Sequence, residues 1–214
     1  ADGWHQGYPG ITSRRRVLFA RPDYWALLDT VTATGDEGAG RHTVDQCFQC
    51  APGELTVADD AATLISDAGP GLTIASLRMA DAQAENVDGW VSYAYTKRER
   101  RPILRIRREG ELPASYLTIL MPFADTAVEF AARELPLADS SPDAAVIEIG
   151  FADHTDYLFM ADRAREFRIA EIDLTGTCRA GLLRVDADGS PRACSLVEGE
   201  AVTFAGLTVS ATNP

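Results

Sequence analysis

Lysine is nearly absent from this sequence: Lys97 stands alone, and the other nineteen basic residues are arginine. Histidine is scarce as well, so any chemistry that needs an imidazole must draw on His5, His42 or His154. Four cysteines in 214 residues are too few for a disulfide scaffold. No apolar run approaches the roughly 20 residues that span a bilayer, which argues against a membrane partner. Also missing are a G-x-S-x-G elbow, a Walker loop, a G-x-G-x-x-G after a strand and an H-E-x-x-H pair. Acidic residues outnumber basic ones by 32 to 20, a net charge of −12, and that balance argues against a nucleic-acid partner. The chain opens Ala1-Asp2-Gly3-Trp4 with no initiator methionine and no signal peptide, which reads as a fragment or a processed product.

What is present is ordinary globular composition, 46% hydrophobic and 24% charged, long enough to bury a full core. Short β-branched and aromatic runs recur about every 8–12 residues between Gly, Pro, Asp and Asn. Strands are expected at Arg15–Arg21, Tyr24–Ala33, His42–Cys50, Glu54–Ala58, Thr63–Asp67, Gly71–Met79, Gly89–Thr96 and Ile103–Arg108. Others follow at Ser115–Pro122, Ala145–Phe151, Tyr157–Met160, Glu166–Leu174, Thr177–Asp186, Pro191–Val197, Ala201–Phe204 and Leu207–Ala211. In Ile103–Arg108, Leu104 and Ile106 share one face while Arg105 and Arg107 share the other, the mark of a sheet with one dry side. Val17–Ala20 and Ser115–Met121 are apolar on both faces apart from hydroxyls, which favours stacked sheets. Thr126–Leu135 carries Val128, Ala131, Ala132 and Leu135 at helical spacing, interrupted by Phe130, so a helix is one of two readings there. No linker or repeat divides residues 1–214. The fold class is all-β: a single large antiparallel β-sandwich of about fifteen strands with at most one short helix.

Cys47 and Cys50 form a C-x-x-C, but strand alternation points them to opposite faces and no second pair follows, which argues against a metal site. If Asp186 pairs with Ser190 across the turn, Cys178 falls opposite Glu198 and Cys194 opposite Leu182, out of register for a disulfide unless a bulge intervenes. Four reduced, mostly buried thiols are expected. His154, with Asp153 and Asp156, reads as a polar hairpin turn before it reads as a metal or acid–base cluster. His42 reads as an edge residue at a strand start. His5 lies in the Gly-rich, aromatic segment Trp4-His5-Gln6-Gly7-Tyr8, either an ordered terminal strand or loop, or a ligand-facing one. Between Lys97 and Arg108 seven cations face one acid, Glu99, for a local +6 that leaves −18 for the rest of the chain. Arg14, Arg15, Arg16 and Arg21 add a second basic run. Such arginines can pair carboxylates or sulfates bidentately, or simply form a solvated, salt-bridged face. Trp90, Tyr93 and Tyr95 lie beside the first cluster; alternation allows only one of the two sets, Trp90 or the tyrosines, to be surface aromatics.

The run from Pro9 to Asp29, with the basic Arg14-Arg15-Arg16 stretch leading into Tyr24-Trp25 and then Asp29 after the Gly7-Tyr8 loop, resembles the β-sheet part of heparinase II/III-like polysaccharide lyases. His42–Phe48 with Ala51-Pro52-Gly53 is similar to that family's next strand and turn. Asp88–Ser92, Leu117–Pro122 and the Val197–Ala201 hairpin continue the resemblance over nearly the whole chain, with no catalytic fingerprint. The resemblance implies an upstream α/α toroid as partner and β-elimination at a uronic acid, in which a charged neighbour acidifies the C5 proton and a Tyr or His base removes it. It places the catalytic residues upstream of Ala1, so none is expected on this chain, and no cofactor is expected. Ser13 stands where a His often precedes the basic run, and the metal site of some relatives is not carried over. The expected role is a non-catalytic C-terminal β-sandwich that buttresses the toroid and lines a cleft for acidic polysaccharide. His5, Tyr8, Arg14, Arg105 and Arg107 are the candidate substrate-binding residues. A secreted or periplasmic location follows from the resemblance alone. A free-standing carbohydrate-binding module, resting on Trp4 or Trp90, and a structural or oligomerisation domain are the alternatives.

Overall fold

The computed structural model describes residues 1–138 and 141–211. Its strands fall in two compact units, residues 1–128 and 129–214. The architecture is all-β with antiparallel sheets throughout, as the periodicity requires. Only two 3-10 turns, Asp36–Gly38 and Ala170–Ile172, interrupt the strands among the described residues.

The first unit holds β1 (Asp2–Tyr8), β2 (Ile11–Ala20), β3 (Tyr24–Ala33), β4 (Arg41–Gln49), β5 (Gly53–Val57), β6 (Ala61–Ser66), β7 (Gly71–Ser76), β8 (Ala82–Ala94), β9 (Lys97–Glu111) and β10 (Ala114–Phe123). Seven of these form one sheet in the order β1-β2-β3-β10-β7-β6-β5, and β4-β9-β8 form a second. The inner faces of the two sheets make the core: Leu55, Leu64, Ile74 and Tyr116 from the larger sheet meet Leu104 and Ile106 of β9. Leu104 and Ile106 are each 1% exposed while Arg105 and Arg107 between them reach solvent, so the alternation in 103–108 reads out as expected. Glycine matters at one corner. Gly10 has φ +65°, and a Cβ there would overlap the Gly38 amide, so the β1–β2 turn can lie against the 36–38 turn only without a side chain.

The second unit holds β11 (Ala131–Leu135), β12 (Ala144–Gly150), β13 (His154–Ile169), β14 (Leu174–Asp186), β15 (Pro191–Val197), β16 (Ala201–Phe204) and β17 (Leu207–Ser210). Its sheet runs β11-β12-β13-β14-β16-β17, with β15 also paired to β14. The two ends of β14 have different partners: 180–185 pair with β15, and 174–176 with β16. The core gathers Val146, Phe159, Phe167, Leu183 and Phe204, with Phe159 and Phe167 stacked at 4.4 Å.

Three local readings are corrected. The helical stripe at Thr126–Leu135 is not a helix: 131–135 pair with β12 as a strand, and Phe130, which interrupts the stripe, packs on Phe151 at 6.3 Å. The strand expected at 157–160 and the first part of that expected at 166–174 are one strand, β13, whose charged middle is accommodated by a register shift between Met160 and Arg165, while 170–172 form a 3-10 turn. In the 178–194 hairpin Cys194 lies opposite Leu183 and not Leu182, because the register shifts between Arg184 and Val185. The cysteine expectation survives that shift: all four are free thiols, Cys47 exposed and Cys50, Cys178 and Cys194 buried.

Replacing Leu104 with Ala should cost about 2–5 kcal/mol in urea-induced unfolding, because it empties a closed inter-sheet site. Arg105→Ala, one residue along on the wet face, should cost about 1 kcal/mol or less.

Candidate functional site

A cleft of the first unit opens between its two sheets at the β1 end and has a volume of about 320 Å³. The register of β1, β2, β3 and β10 explains its lining. His5 lies opposite Ser13, which lies opposite Val31; Gly3 lies opposite Arg15, which lies opposite Asp29; Asp29 lies opposite Tyr116. Residues in register share a face, so His5, Ser13, Arg15, Asp29 and Tyr116 all look inward. Val44 and Gln46 of β4 close the cleft from the second sheet.

A chain of polar contacts forms the floor. Arg15 grips the Asp29 carboxylate with both arms, Nε to Oδ1 at 2.7 Å and Nη2 to Oδ2 at 2.6 Å. Gln46 Nε2 donates to Asp29 Oδ2 at 2.8 Å, and Thr118 Oγ1 donates to Gln46 Oε1 at 3.1 Å. Asp29 holds the Arg15 guanidinium above the ordinary arginine range, chiefly through this hydrogen bonding. Tyr116 donates its hydroxyl to Val44 O at 2.6 Å, and burial pushes its phenol up to about 12. At the mouth, Gly7 N donates to His5 Nδ1 at 3.2 Å. Only an unprotonated nitrogen accepts such a bond, so in the neutral ring the proton sits on Nε2. The cleft thus offers an arginine fork half open to solvent, a hydroxyl from Ser13 and an imidazole N–H. These are groups that bind a carboxylate or sulfate and the hydroxyls beside it.

Of the residues singled out in the sequence, His5 and Arg14 line this cleft, while Tyr8, Arg105 and Arg107 do not. Arg14 contributes its position more than its charge: it lies opposite Trp4, on the other face of the ribbon, and grips Asp2 at 2.8 and 2.6 Å. Tyr8 is exposed beside the bulge at the end of β1. Arg107 forks onto Asp45, which pulls that carboxyl below the usual range, and Arg105 pairs with Glu85 at 2.6 Å. His42 sits at the start of an edge strand, 3.0 Å from Gly38 O. His154 opens β13 immediately after the hairpin bend, stacked on Phe151 at 4.5 Å and 2.7 Å from Asp153, while the neighbouring Asp156 is fully buried against Arg184. Among the described residues no group of three His, Cys, Asp or Glu could hold a metal ion. Arg15, Asp29, Gln46 and Tyr116 were not singled out as a group. Their signal was a lone acid in the apolar run Tyr24–Val31 and hydroxyls in the apolar run of β10.

One expectation about the aromatics is corrected. Trp90, Tyr93 and Tyr95 are all exposed, at 47%, 70% and 96%. Alternation separates faces only where one face is covered; here the β8–β9 hairpin runs past the sandwich and both faces are wet.

No family of known proteins and no curated protein matches the sequence. The fold is nevertheless that of a part of known polysaccharide lyases. The chain is similar to a crystal structure of heparinase III, at 15% identity and a TM-score of 0.60, covering 74% of this chain and 25% of that one. It is also similar to heparan sulfate lyase HepC from Pedobacter heparinus (18% identity, TM-score 0.58, 68% of this chain and 23% of that one). A heparinase III gene product gives 20% identity and a TM-score of 0.57 over 69% of this chain and 23% of its own. The chain spans about a quarter of the length of the solved structures it matches.

Tyr116→Phe should cost about 1 kcal/mol at neutral pH, one buried hydrogen bond. The raised phenol stabilises the fold fully below pH 10, and that contribution is lost as pH climbs from 10 to about 12. The variant should lose less stability over that interval, read by denaturant midpoint against pH. In native protein only Cys47 should be modified by a thiol reagent, and slowly, since burial and Asp45 push its thiol up; mass mapping of labelled peptides checks this.

Proposed function

We propose that this chain is the non-catalytic β-sandwich part of a heparinase II/III-like polysaccharide lyase, buttressing an α/α toroid and lining the groove that takes an acidic polysaccharide. The observation that carries the reading is the fold held in common with heparinase III and heparan sulfate lyase over about 70% of the chain. The β1 cleft supports it: Arg15, Ser13 and His5 form a ready-made contact for a uronate carboxylate or a sulfate. Arg15 is suited to that task because Asp29 and Gln46 fix one edge of its fork in place. The guanidinium is therefore preorganised, and little side-chain entropy is lost when an anion docks. The parent reaction is β-elimination at a uronic acid, with the proton-abstracting machinery supplied outside this chain. A secreted or periplasmic location belongs to the same reading.

The reading frame that encodes the chain provides the first test: an all-helical region upstream supports the proposal, and a frame without one overturns it. In the full-length protein, Arg15→Gln should raise KM for a uronate polymer about tenfold, the loss of one charge-assisted contact, with kcat little changed. The 214-residue chain alone should generate no ultraviolet-absorbing unsaturated uronate; product formed by it would refute the non-catalytic assignment.

A further inference from the structure

Six of the seven cations of Lys97–Arg108, all but the half-buried Arg101, divide into two groups that the linear charge count does not separate. Near the base of the hairpin they are engaged: Arg105 with Glu85, Arg107 with Asp45, and Arg108 with the Arg78 carbonyl at 2.8 Å. Toward the tip they are open. Lys97 and Arg98 pair with no carboxylate among the described residues, and Arg100 reaches only Asp88, at 3.9 Å with both side chains largely exposed. The tip is also where Trp90, Tyr93 and Tyr95 stand in solvent.

These groups are ordered relative to one another. Trp90 pairs directly with Arg100, and Arg98 lies diagonal to it on the same face. The guanidinium carbons sit 4.3 Å (Arg98) and 5.4 Å (Arg100) from the Trp90 ring centroid, within the range of cation–π attraction. The turn is fastened by the Ser92 hydroxyl, 2.9 Å from Ala94 O and 2.7 Å from Lys97 O. Thr96 takes φ +66°, a costly conformation for a β-branched residue, and Tyr95 is left at the apex.

We infer that the tip of the β8–β9 hairpin, residues 90–101, is a second docking surface for an acidic oligosaccharide, separate from the β1 cleft. Arg98 and Arg100 take the sulfate or carboxylate, and Tyr93 and Tyr95 offer faces on which a sugar ring stacks. The choice of ligand rests on the polysaccharide reading above; the existence of the surface rests on the charge and aromatic placement. A long, dense polyanion such as duplex nucleic acid is disfavoured, because the open cations occupy a few residues on a chain of net charge −12. A bilayer is disfavoured because the tip's one branched aliphatic, Val91, is half-buried and its largest apolar ring is already covered by two guanidiniums.

The test titrates the 214-residue chain with a heparin-derived hexasaccharide by calorimetry and follows the indole resonances by NMR. Wild type should bind with the Trp90 indole signal moving, and R98E/R100E should weaken binding about tenfold or more. Tyr93→Ala with Tyr95→Ala should weaken binding while leaving its salt dependence unchanged, which an unfolded variant would not do. Unchanged binding in R98E/R100E, with binding lost in Arg15→Gln, overturns the hairpin surface and leaves the cleft reading intact. No binding by wild type at all overturns both. Loss of adhesion to phosphatidylserine vesicles in R98E/R100E, without any effect on the hexasaccharide, overturns the sugar assignment in favour of a lipid surface.

Discussion

The carboxylate of Asp29 is the constraint on which the first unit turns. It lies in the middle of β3, between Leu28 and Thr30, where its neighbours are buried, and a bare charge there would be costly to desolvate. It is tolerated because two strands bring it partners. Arg15 comes from β2 in direct register, and Gln46 comes from β4 in the opposing sheet. The second contact is the more consequential. A Gln amide that donates to Asp29 and accepts from Thr118 ties β4 to both β3 and β10 at one depth in the sandwich. A slip of β4 by one residue would turn Gln46 outward and leave the carboxylate short of a donor. The network therefore specifies how the two sheets face each other, which the apolar contacts around Leu104 and Ile106 would tolerate less strictly.

The cleft is a by-product of the same arrangement. β1 adds to the larger sheet beyond β2, with every residue exposed, while β4 is the edge strand of the smaller sheet. Between them Arg15 is held from beneath and stays open to the mouth. An arginine with one edge occupied and the other free is a receptor for an oxyanion, and its fixed fork favours planar carboxylates over diffuse charge. Arg14, one residue earlier, has the opposite fate, since alternation turns it to the far face and Asp2 neutralises it. Adjacent members of one basic run thus do different work, and strand parity decides which.

Much of this was legible before the structure. The strand runs at Tyr24–Ala33, Gly71–Met79, Ser115–Pro122 and Ala145–Phe151 carry their own boundaries, because turn residues flank apolar, β-branched stretches. The dry and wet faces of 103–108 followed from period two. What was hidden had a physical cause in each case. Thr126–Leu135 satisfies a helical spacing by chance, and pairing with β12 overrode it, a tertiary contact that local propensity does not register. β13 looked like two strands because its centre is charged, yet a register shift carries the ladder through. The candidate site was harder. Arg105 and Arg107 stood out for charge, but nothing in the sequence announces that Glu85 and Asp45 lie across the ladder from them. Asp29 and Gln46 were quiet because their meaning arises only when two sheets meet.

Net charge looks different in the light of these pairings. A chain at −12 is expected to repel an acidic polymer, and a basic run of +6 offsets that locally. Within that run Glu85 and Asp45 cancel Arg105 and Arg107, so the positive charge left open lies toward the hairpin tip, where Arg98 and Arg100 stack on Trp90. Stacking restricts Arg98 and Arg100 without consuming their charge, whereas Arg15 is held by the Asp29 carboxylate and offers only its remaining N–H donors; in both cases the restriction lowers the entropy cost of gripping a sulfate or carboxylate. At 15–20% identity the likeness is one of strand framework. The likeness to heparinase III accordingly speaks for the frame, and the case for an acidic ligand stands on the few arginines whose positive edge the fold leaves open.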